Sequence, residues 1–323
     1  MKEIAILTGG DSAEHDISIQ SAKVVLNNLK SDKYKGTIIH IKDNKWIVNS
    51  NNNQVEINKN DFSFCINNEI KYFDYVFMAL HGPPAENGIL QHYFDQLKLP
   101  YSSCNSEVSA LTFNKLECNK QLSKMGFHCA QSLHIEKGEN IQSEFIKNTL
   151  GLPCFIKPNQ AGSSFGISKV YKQEDIESAI HTAWEHDNIA LIEQFIDGTE
   201  LSCGVNIQNS KITAFPITEI VSENDFFDYQ AKYNGLSQEI TPARISEKLT
   251  EKIQNITEEV YKKMNLRGIC RIDFIVMNET PYIIEINTIP GLSEESIIPK
   301  QAKEAGITLS ELFDNCIETT LNK

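Results

Sequence analysis

The stretch Arg271-Ile272-Asp273-Phe274-Ile275-Val276-Met277-Asn278-Glu279-Thr280-Pro281-Tyr282-Ile283-Ile284-Glu285-Ile286-Asn287 reads as two alternating strands around a hairpin loop. In Arg271–Phe274 and Ile284–Asn287 every second side chain is polar, the period of a strand with one apolar face. With Asn278–Thr280 as a three-residue loop, Asp273 falls opposite Glu285 and Arg271 opposite Asn287. All four then share one face, and Ile272, Phe274, Ile284 and Ile286 pack behind. Directly opposed carboxylates repel unless a cation sits between them. An oxygen-only set of Asp273, Glu285 and Asn287, with no histidine or cysteine beside it, suits magnesium shared with nucleotide phosphates rather than zinc. A solvated strand face with Arg271 as counter-ion is the other reading of the pattern.

Upstream, Lys157-Pro158 and Gly162-Ser163-Ser164-Phe165-Gly166 form a Gly/Ser loop whose N–H and hydroxyl groups suit phosphate oxygens. A strand follows it, so it is not a Walker A loop, which opens a helix; a plain hairpin turn is the alternative. Leu191–Ile196 then leads through Asp197-Gly198-Thr199 to Glu200, joining a small α+β unit to the last part of the chain. Glu193 and Glu200 fit acceptors for a nucleotide's amine and ribose, or ordinary surface glutamates. The segment from Val221 to Pro242 lacks periodicity over a length that marks a lid or disorder, and Phe226, Phe227, Tyr229, Lys232 and Tyr233 favour a lid. Beyond it Ser246 caps a helix with Leu249, Ile253, Ile256, Val260 and Met264 on one face, and Thr308 with Glu311 forms a capping box for the final helix.

At the other end, Ile4–Leu7 runs into Thr8-Gly9-Gly10 and a helix carrying Ala22, Val25, Leu26 and Leu29 on one face. Tyr75–Leu80 is a second apolar run, ending at His81-Gly82-Pro83-Pro84 before a helix over Ile89–Leu97. Alternating strands and helices imply a parallel sheet, whose carboxyl-end rim would carry Thr8–His15 and His81–Gly88. Taken alone, Glu14, His15 and His81 also fit turn or cap residues. The polar run Asn49–Asn53 reads as a solvated hairpin turn.

A length of 323 residues suggests two or three domains enclosing a cleft. The formal net charge of -13 disfavours nucleic acid and anionic lipid as partners, so bound phosphate must be met by local lysines, N–H groups or metal. Eight cysteines without a C-x-x-C pair read as small core residues in a reducing cytosol. The start of the chain offers no signal segment and no apolar run approaches a membrane span, so a cytoplasmic location is expected.

Five separated stretches, in this order, resemble the D-alanine:D-alanine ligases across almost the whole chain. They are Gly9–Ser18, His81-Gly82, Lys157-Pro158 with Gly162–Gly166, Ala231-Lys232-Tyr233, and Arg271-Ile272-Asp273 with Glu285–Gly291. The resemblance implies an α/β, three-domain ATP-grasp fold. A Rossmann-like parallel-sheet domain would span 1–112, a small α+β domain 113–197, and a C-terminal domain 198–323 with the metal site and a lid loop over 221–242. It further implies ATP-dependent joining of two D-alanines for peptidoglycan synthesis, by a cytoplasmic homodimer.

By the same resemblance, Glu14 binds the ammonium of the first D-alanine with His81 nearby. Lys115 and Lys157 hold the nucleotide's phosphates, Ser164 and Lys232 also bind the nucleotide, and Glu193 and Glu200 meet adenine and ribose. Asp273, Glu285 and Asn287 become the ligands of two Mg²⁺ ions, for which Mn²⁺ can substitute. Attack of the first carboxylate on the γ-phosphate gives an acyl phosphate, which the second D-alanine's amine attacks. Arg271 and the N–H of Gly291 would meet the resulting oxyanion, while Ser163, Ser296 and Ile297 position the second substrate. Tyr233 stands where ester-forming relatives tend to carry histidine, which favours an amine nucleophile.

The chain departs from the family pattern at Ala85, Asn87, His92 and Asn114, which carry alanine, asparagine, histidine and asparagine for glycine, aspartate, glycine and aspartate. The departures between 85 and 92 touch affinity or substrate range, whereas beside Asn114 the phosphate contact Lys115 remains. The rival readings are a ligase using D-serine, D-lactate or another amine as second substrate, and a non-catalytic ATP-binding protein on the same scaffold. A dinucleotide-binding dehydrogenase is disfavoured because Gly-x-Gly-x-x-Gly is missing.

Overall fold

The computed structural model describes residues 1–50, 53–162, 165–222 and 237–321. The first sheet begins with β1 (Lys2–Gly9), buried from Ile4 onward, followed by α1 (His15–Asn28). Next come β2 (Tyr34–Lys42), β3 (Lys45–Ser50), β4 (Asn53–Glu56), a small hairpin of β5 (Phe64–Ile66) and β6 (Glu69–Lys71), and β7 (Tyr75–Met78). The strand order is β4-β3-β2-β1-β7. Only β2, β1 and β7 run parallel, whereas β3 and β4 add as antiparallel hairpins, so the sheet is mixed rather than wholly parallel. The reason lies in the connections: two-residue turns such as Asp43-Asn44, both at positive φ, can only reverse the chain. Gly9, at φ +96°, ends β1 where any Cβ would lie 2.4 Å from the Ile41 carbonyl oxygen.

Helices α2 (Ile89–Leu97), α3 (Ser106–Phe113) and α4 (Lys115–Lys124) lead out of this sheet. Asn105 caps α3 and Asn114 caps α4, each accepting from the backbone N–H three residues on. The second sheet, in order β10-β9-β11-β8, comprises β8 (Ser132–Glu136), β9 (Cys154–Pro158), β10 (Ser168–Val170) and β11 (Ile189–Gln194). Against it α5 (Ser143–Leu150) and α6 (Ile176–Trp184) bury Ile146, Leu150, Ile180 and Trp184 in a core of their own.

The third sheet contains β12 (Thr199–Gln208), β13 (Lys211–Ala214), β14 (Thr218–Ser222), β15 (Ser237–Ile240), then after α7 (Glu247–Lys263) β16 (Cys270–Met277) and β17 (Thr280–Asn287). The stretch read as irregular from Val221 to Pro242 therefore has strands at both ends, Val221 pairing with Gln238; its middle lies outside the described residues. Both expected caps form. The Ser246 hydroxyl accepts from Leu249 N, and Thr308 and Glu311 bond reciprocally ahead of α9. Helices α8 (Ile297–Glu304) and α9 (Leu309–Leu321) close the chain, and α8 had no counterpart in the sequence reading.

Sheets one and three share a core. Ile4, Ile6, Val25 and Phe77 pack with Phe215, Ile298, Leu312 and Phe313. At its edge Asp314 accepts from Lys30 Nζ at 2.5 Å, Lys33 Nζ at 3.0 Å and the Tyr34 hydroxyl at 2.8 Å. Residues of α3 and α4, including Val108 and Leu122, pack on the third sheet's core with Ile272 and Ile286. No helix among the described residues is long and apolar enough to cross a membrane.

Candidate active site

The β16–β17 hairpin forms one wall of the site and differs from expectation in an instructive way. Its turn is two residues, Asn278-Glu279, both at positive φ, so Met277 pairs with Thr280 and Phe274 with Ile283. A bulge between Asp273 and Phe274 then absorbs Ile284 and restores the pairs Asp273–Glu285 and Arg271–Asn287. The core residue is thus Ile283, 2% exposed, rather than Ile284, which lines the cleft beside Glu285.

Asp273 is the hub of that wall. Arg271 grips it with Nε at 2.9 Å and Nη2 at 2.8 Å, Ser202 Oγ donates at 2.6 Å, and Asn287 Nδ2 at 2.9 Å. Asn287 Nδ2 also reaches Glu285 Oε1 at 3.4 Å. Two carboxylates in register on a cleft wall, one gathering three donors, fit an oxygen-seeking cation. Among the described residues no set of three His, Cys, Asp or Glu side chains is disposed to hold a metal alone. A cation here would complete its shell from ligand oxygens and water, as magnesium does and structural zinc does not.

The cleft has a volume of about 470 Å³ and is lined by strands of the second and third sheets and by the loops and α1 beside the first. Glu14, His81, Lys115, Lys157, Glu193, Glu200, Arg271, Asp273, Glu285, Asn287, Gly291, Ser296 and Ile297 all line it. Ser163, Ser164, Lys232 and Tyr233 lie outside the described residues.

Lys157 and Glu193, on adjacent strands β9 and β11, form a buried ion pair at 2.5 Å. Lys115 opens α4 and donates to the Ala161 carbonyl at 2.6 Å. Burial pulls its ammonium below the ordinary lysine range, with Lys157 adding to the effect and Glu285 and Glu193 opposing it. An anion placed beside the two lysines would offset their repulsion and favour the charged form of Lys115.

His81 is 3% exposed. Burial holds its imidazole below the usual range and so neutral, with the Glu14 charge working the other way. Its Nδ1 lies 2.9 Å from the Ile289 carbonyl and its Nε2 2.9 Å from Ser21 Oγ, which in turn accepts from Leu292 N at 3.1 Å. Both ring nitrogens are therefore engaged with protein, so His81 ties the first sheet's rim to the loop that carries Gly291. A Cβ at Gly291 would come 2.7 Å from Ser296 Oγ, so a larger residue there would displace that hydroxyl.

Sequence reasoning missed four residues of this site. Ser202, between Leu201 and Cys203, and Ser21, within α1, are buried serines that gave no signal. Asn119, on α4, donates to Glu193 Oε1 at 3.0 Å. Glu86 lines the cleft in the departing His81–Gly88 loop, and burial, with the Glu14 charge next, pushes its carboxyl up to about 8. The loop's remaining carboxylate was the signal that could have found it.

The chain matches two family models, described as the D-ala D-ala ligase N-terminus over residues 3–104 and C-terminus over residues 120–318. It is 50% identical to a D-alanine–D-alanine ligase of Flavobacterium johnsoniae, over 99% of this chain and 100% of that one. Among solved structures it is similar to the VanG D-Ala:D-Ser ligase of Enterococcus faecalis, at 31% identity and a TM-score of 0.87 over 98% of each chain. It is also similar to the D-alanine–D-alanine ligase of Bacillus anthracis solved with ATP, at 27% identity and a TM-score of 0.79 over 100% of this chain and 98% of that one. With models covering both halves and a relative at half identity over its full length, this chain belongs to the D-alanine–D-alanine ligase family.

Proposed function

We propose that this chain joins two D-alanines to D-alanyl-D-alanine at the expense of ATP, forming ADP and phosphate, for peptidoglycan synthesis. The observation that carries this reading is convergence: every described residue to which the family resemblance gives a role lines one cleft, although they are spread from Glu14 to Ile297 along the chain. Kinship at 50% identity with a ligase of that name supports the same substrate pair.

Lys115 and Lys157 would receive the phosphates, and the apolar end near Phe155, Ile167 and Ile284 would take the purine, with Glu193 accepting from its amine and Glu200 from the ribose. Asp273, Glu285 and Asn287 would hold magnesium, which when bound offsets phosphate charge during transfer. Glu14 would bind the first D-alanine's ammonium and so aim its carboxylate at the γ-phosphorus. The carboxylate oxygen bonds to phosphorus as ADP leaves. The second D-alanine's amine then attacks the carbonyl, and phosphate departs with the oxygen that joined it. Arg271 and the Gly291 N–H would meet the developing oxyanion, and Ser296 with the α8 N-terminus would take the second carboxylate. The domain limits 1–112, 113–197 and 198–323, a cytoplasmic location and a homodimer belong to the same reading.

Phosphate release from ATP and Mg²⁺ with D-alanine alone, with the product identified by mass, tests it. D-serine is the control that matters most, given the likeness to a D-Ala:D-Ser ligase. Dipeptide equal to phosphate is the expected result. Turnover only when D-serine or D-lactate is added would overturn the second-substrate assignment.

A further inference from the structure

Glu193 is 7% exposed and has both carboxylate oxygens occupied: Oε2 by Lys157 Nζ at 2.5 Å and Oε1 by Asn119 Nδ2 at 3.0 Å. Asn119 is also 7% exposed and sits one helical turn beyond Lys115, so α4 sends a lysine to the Ala161 loop and an amide to Glu193 from the same face. The start of α4 is fixed to β9 by a second amide. Asn159, fully buried, accepts from Leu116 N at 2.8 Å and donates to the Asn114 side chain at 3.0 Å. Asn119 therefore stands on a helix whose position is set independently of any ligand.

A carboxylate held this way can only accept hydrogen bonds. The lysine pairs with one oxygen, and the amide N–H on the other fixes the plane in which its remaining lone pairs lie. Glu193 would accept from an amino group and repel a carbonyl oxygen set at the same place.

We propose that Asn119 is a positioning residue for nucleobase selection: its bond to Glu193 Oε1 holds that carboxylate as an acceptor for the 6-amino group of adenine and against a 6-oxo purine. This rests on the reading that Glu193 meets the adenine amine. Discrimination arises because the wrong base brings acceptor against acceptor in a buried site, where an unpaired polar group is costly.

The test is steady-state kinetics of the full chain with ATP and with inosine triphosphate, whose base carries a 6-oxo group. Asn119→Leu removes the donor at similar volume. It is expected to raise KM for ATP about tenfold, with kcat and KM for D-alanine within about twofold and inosine triphosphate little affected. The ATP preference then falls about tenfold. Asn119→Asp, closer still in shape, sets a second carboxylate against Glu193 and is expected to lower the preference at least as far. Thermal unfolding of both variants checks that they fold. A preference within about twofold of the parent in the folded variants, or equal losses with both nucleotides, overturns the role of Asn119. Glu193→Gln separates the two levels: if it too leaves the preference intact, the adenine reading fails, whereas a preference lost there but kept in Asn119→Leu removes only the inference about Asn119.

Discussion

Glu86 is a carboxyl group of the cleft whose chemistry departs from its free behaviour. Its carboxyl, normally near 4.5, is pushed up to about 8 by burial and by the facing Glu14, with Glu285 adding to the effect and Lys115 opposing it. Between those two values the unfolded chain has lost the proton that the folded chain keeps. The native state then binds more protons, and stability falls as pH rises across that window. Glu86→Gln removes the titration. In the ligand-free protein, its Tm relative to the parent is expected to rise by a few degrees between about pH 5 and about pH 8, with little difference at the acid end. A Tm difference that is flat with pH would contradict this assignment. Nothing in the composition of Gly82–Gly88 announces this, because a pKa depends on which groups face each other, and Glu14 and Glu86 lie 72 positions apart.

The β16–β17 hairpin shows how far sequence alone reaches at the level of an element. Alternation marks the polar face of Arg271, Asp273, Glu285 and Asn287, and the structure brings these four together. The three-residue loop was wrong, yet the pairing it implied was right. A two-residue turn plus one bulged residue counts the same as a three-residue turn with none. Which isoleucine faces the core depends on where the extra residue sits, and period-2 reasoning cannot locate it. Ile283→Ala is therefore expected to cost about 2–5 kcal/mol of stability, whereas Ile284→Ala leaves Tm nearly unchanged and raises KM for ATP. Chemical denaturation beside nucleotide kinetics distinguishes them, and reversed effects would place the bulge elsewhere. Helix α8 escaped notice for a related reason: Ser296 precedes it without a side-chain cap bond, and Pro299 lies within its eight residues.

In the whole molecule the cleft exists because the first and third sheets share a core and cannot drift apart freely. The sequence indicated separate units and the functional rim of the first, since strand-turn-helix patterns are local. It did not reveal that Phe77 packs edge-on to Phe313, with ring centroids 5.4 Å apart, or that Asp314 collects Lys30, Lys33 and Tyr34. Such contacts join the first unit to the last helix and have no local signature. Asp314→Ala removes the acceptor the three donors share, with Glu318 still beside Lys33 and Tyr34, and is expected to cost about 1–3 kcal/mol, read as a lower Tm, with KM for ATP and D-alanine unchanged. A change in KM without a change in Tm would show that this contact serves the cleft rather than the scaffold.

In the proposed reaction a D-alanine carboxylate takes the γ-phosphoryl group before the second amine attacks. D-Alanine labelled with ¹⁸O in its carboxylate tests that directly, because the oxygen that bonds to phosphorus must leave with it. With ATP and Mg²⁺, mass analysis should find one ¹⁸O in each phosphate released and one fewer in the new peptide carbonyl group than in the starting carboxylate. Unlabelled phosphate alongside dipeptide would mean that no acyl phosphate forms, and the assignment of Glu14, Arg271 and Gly291 to its formation and breakdown would fall.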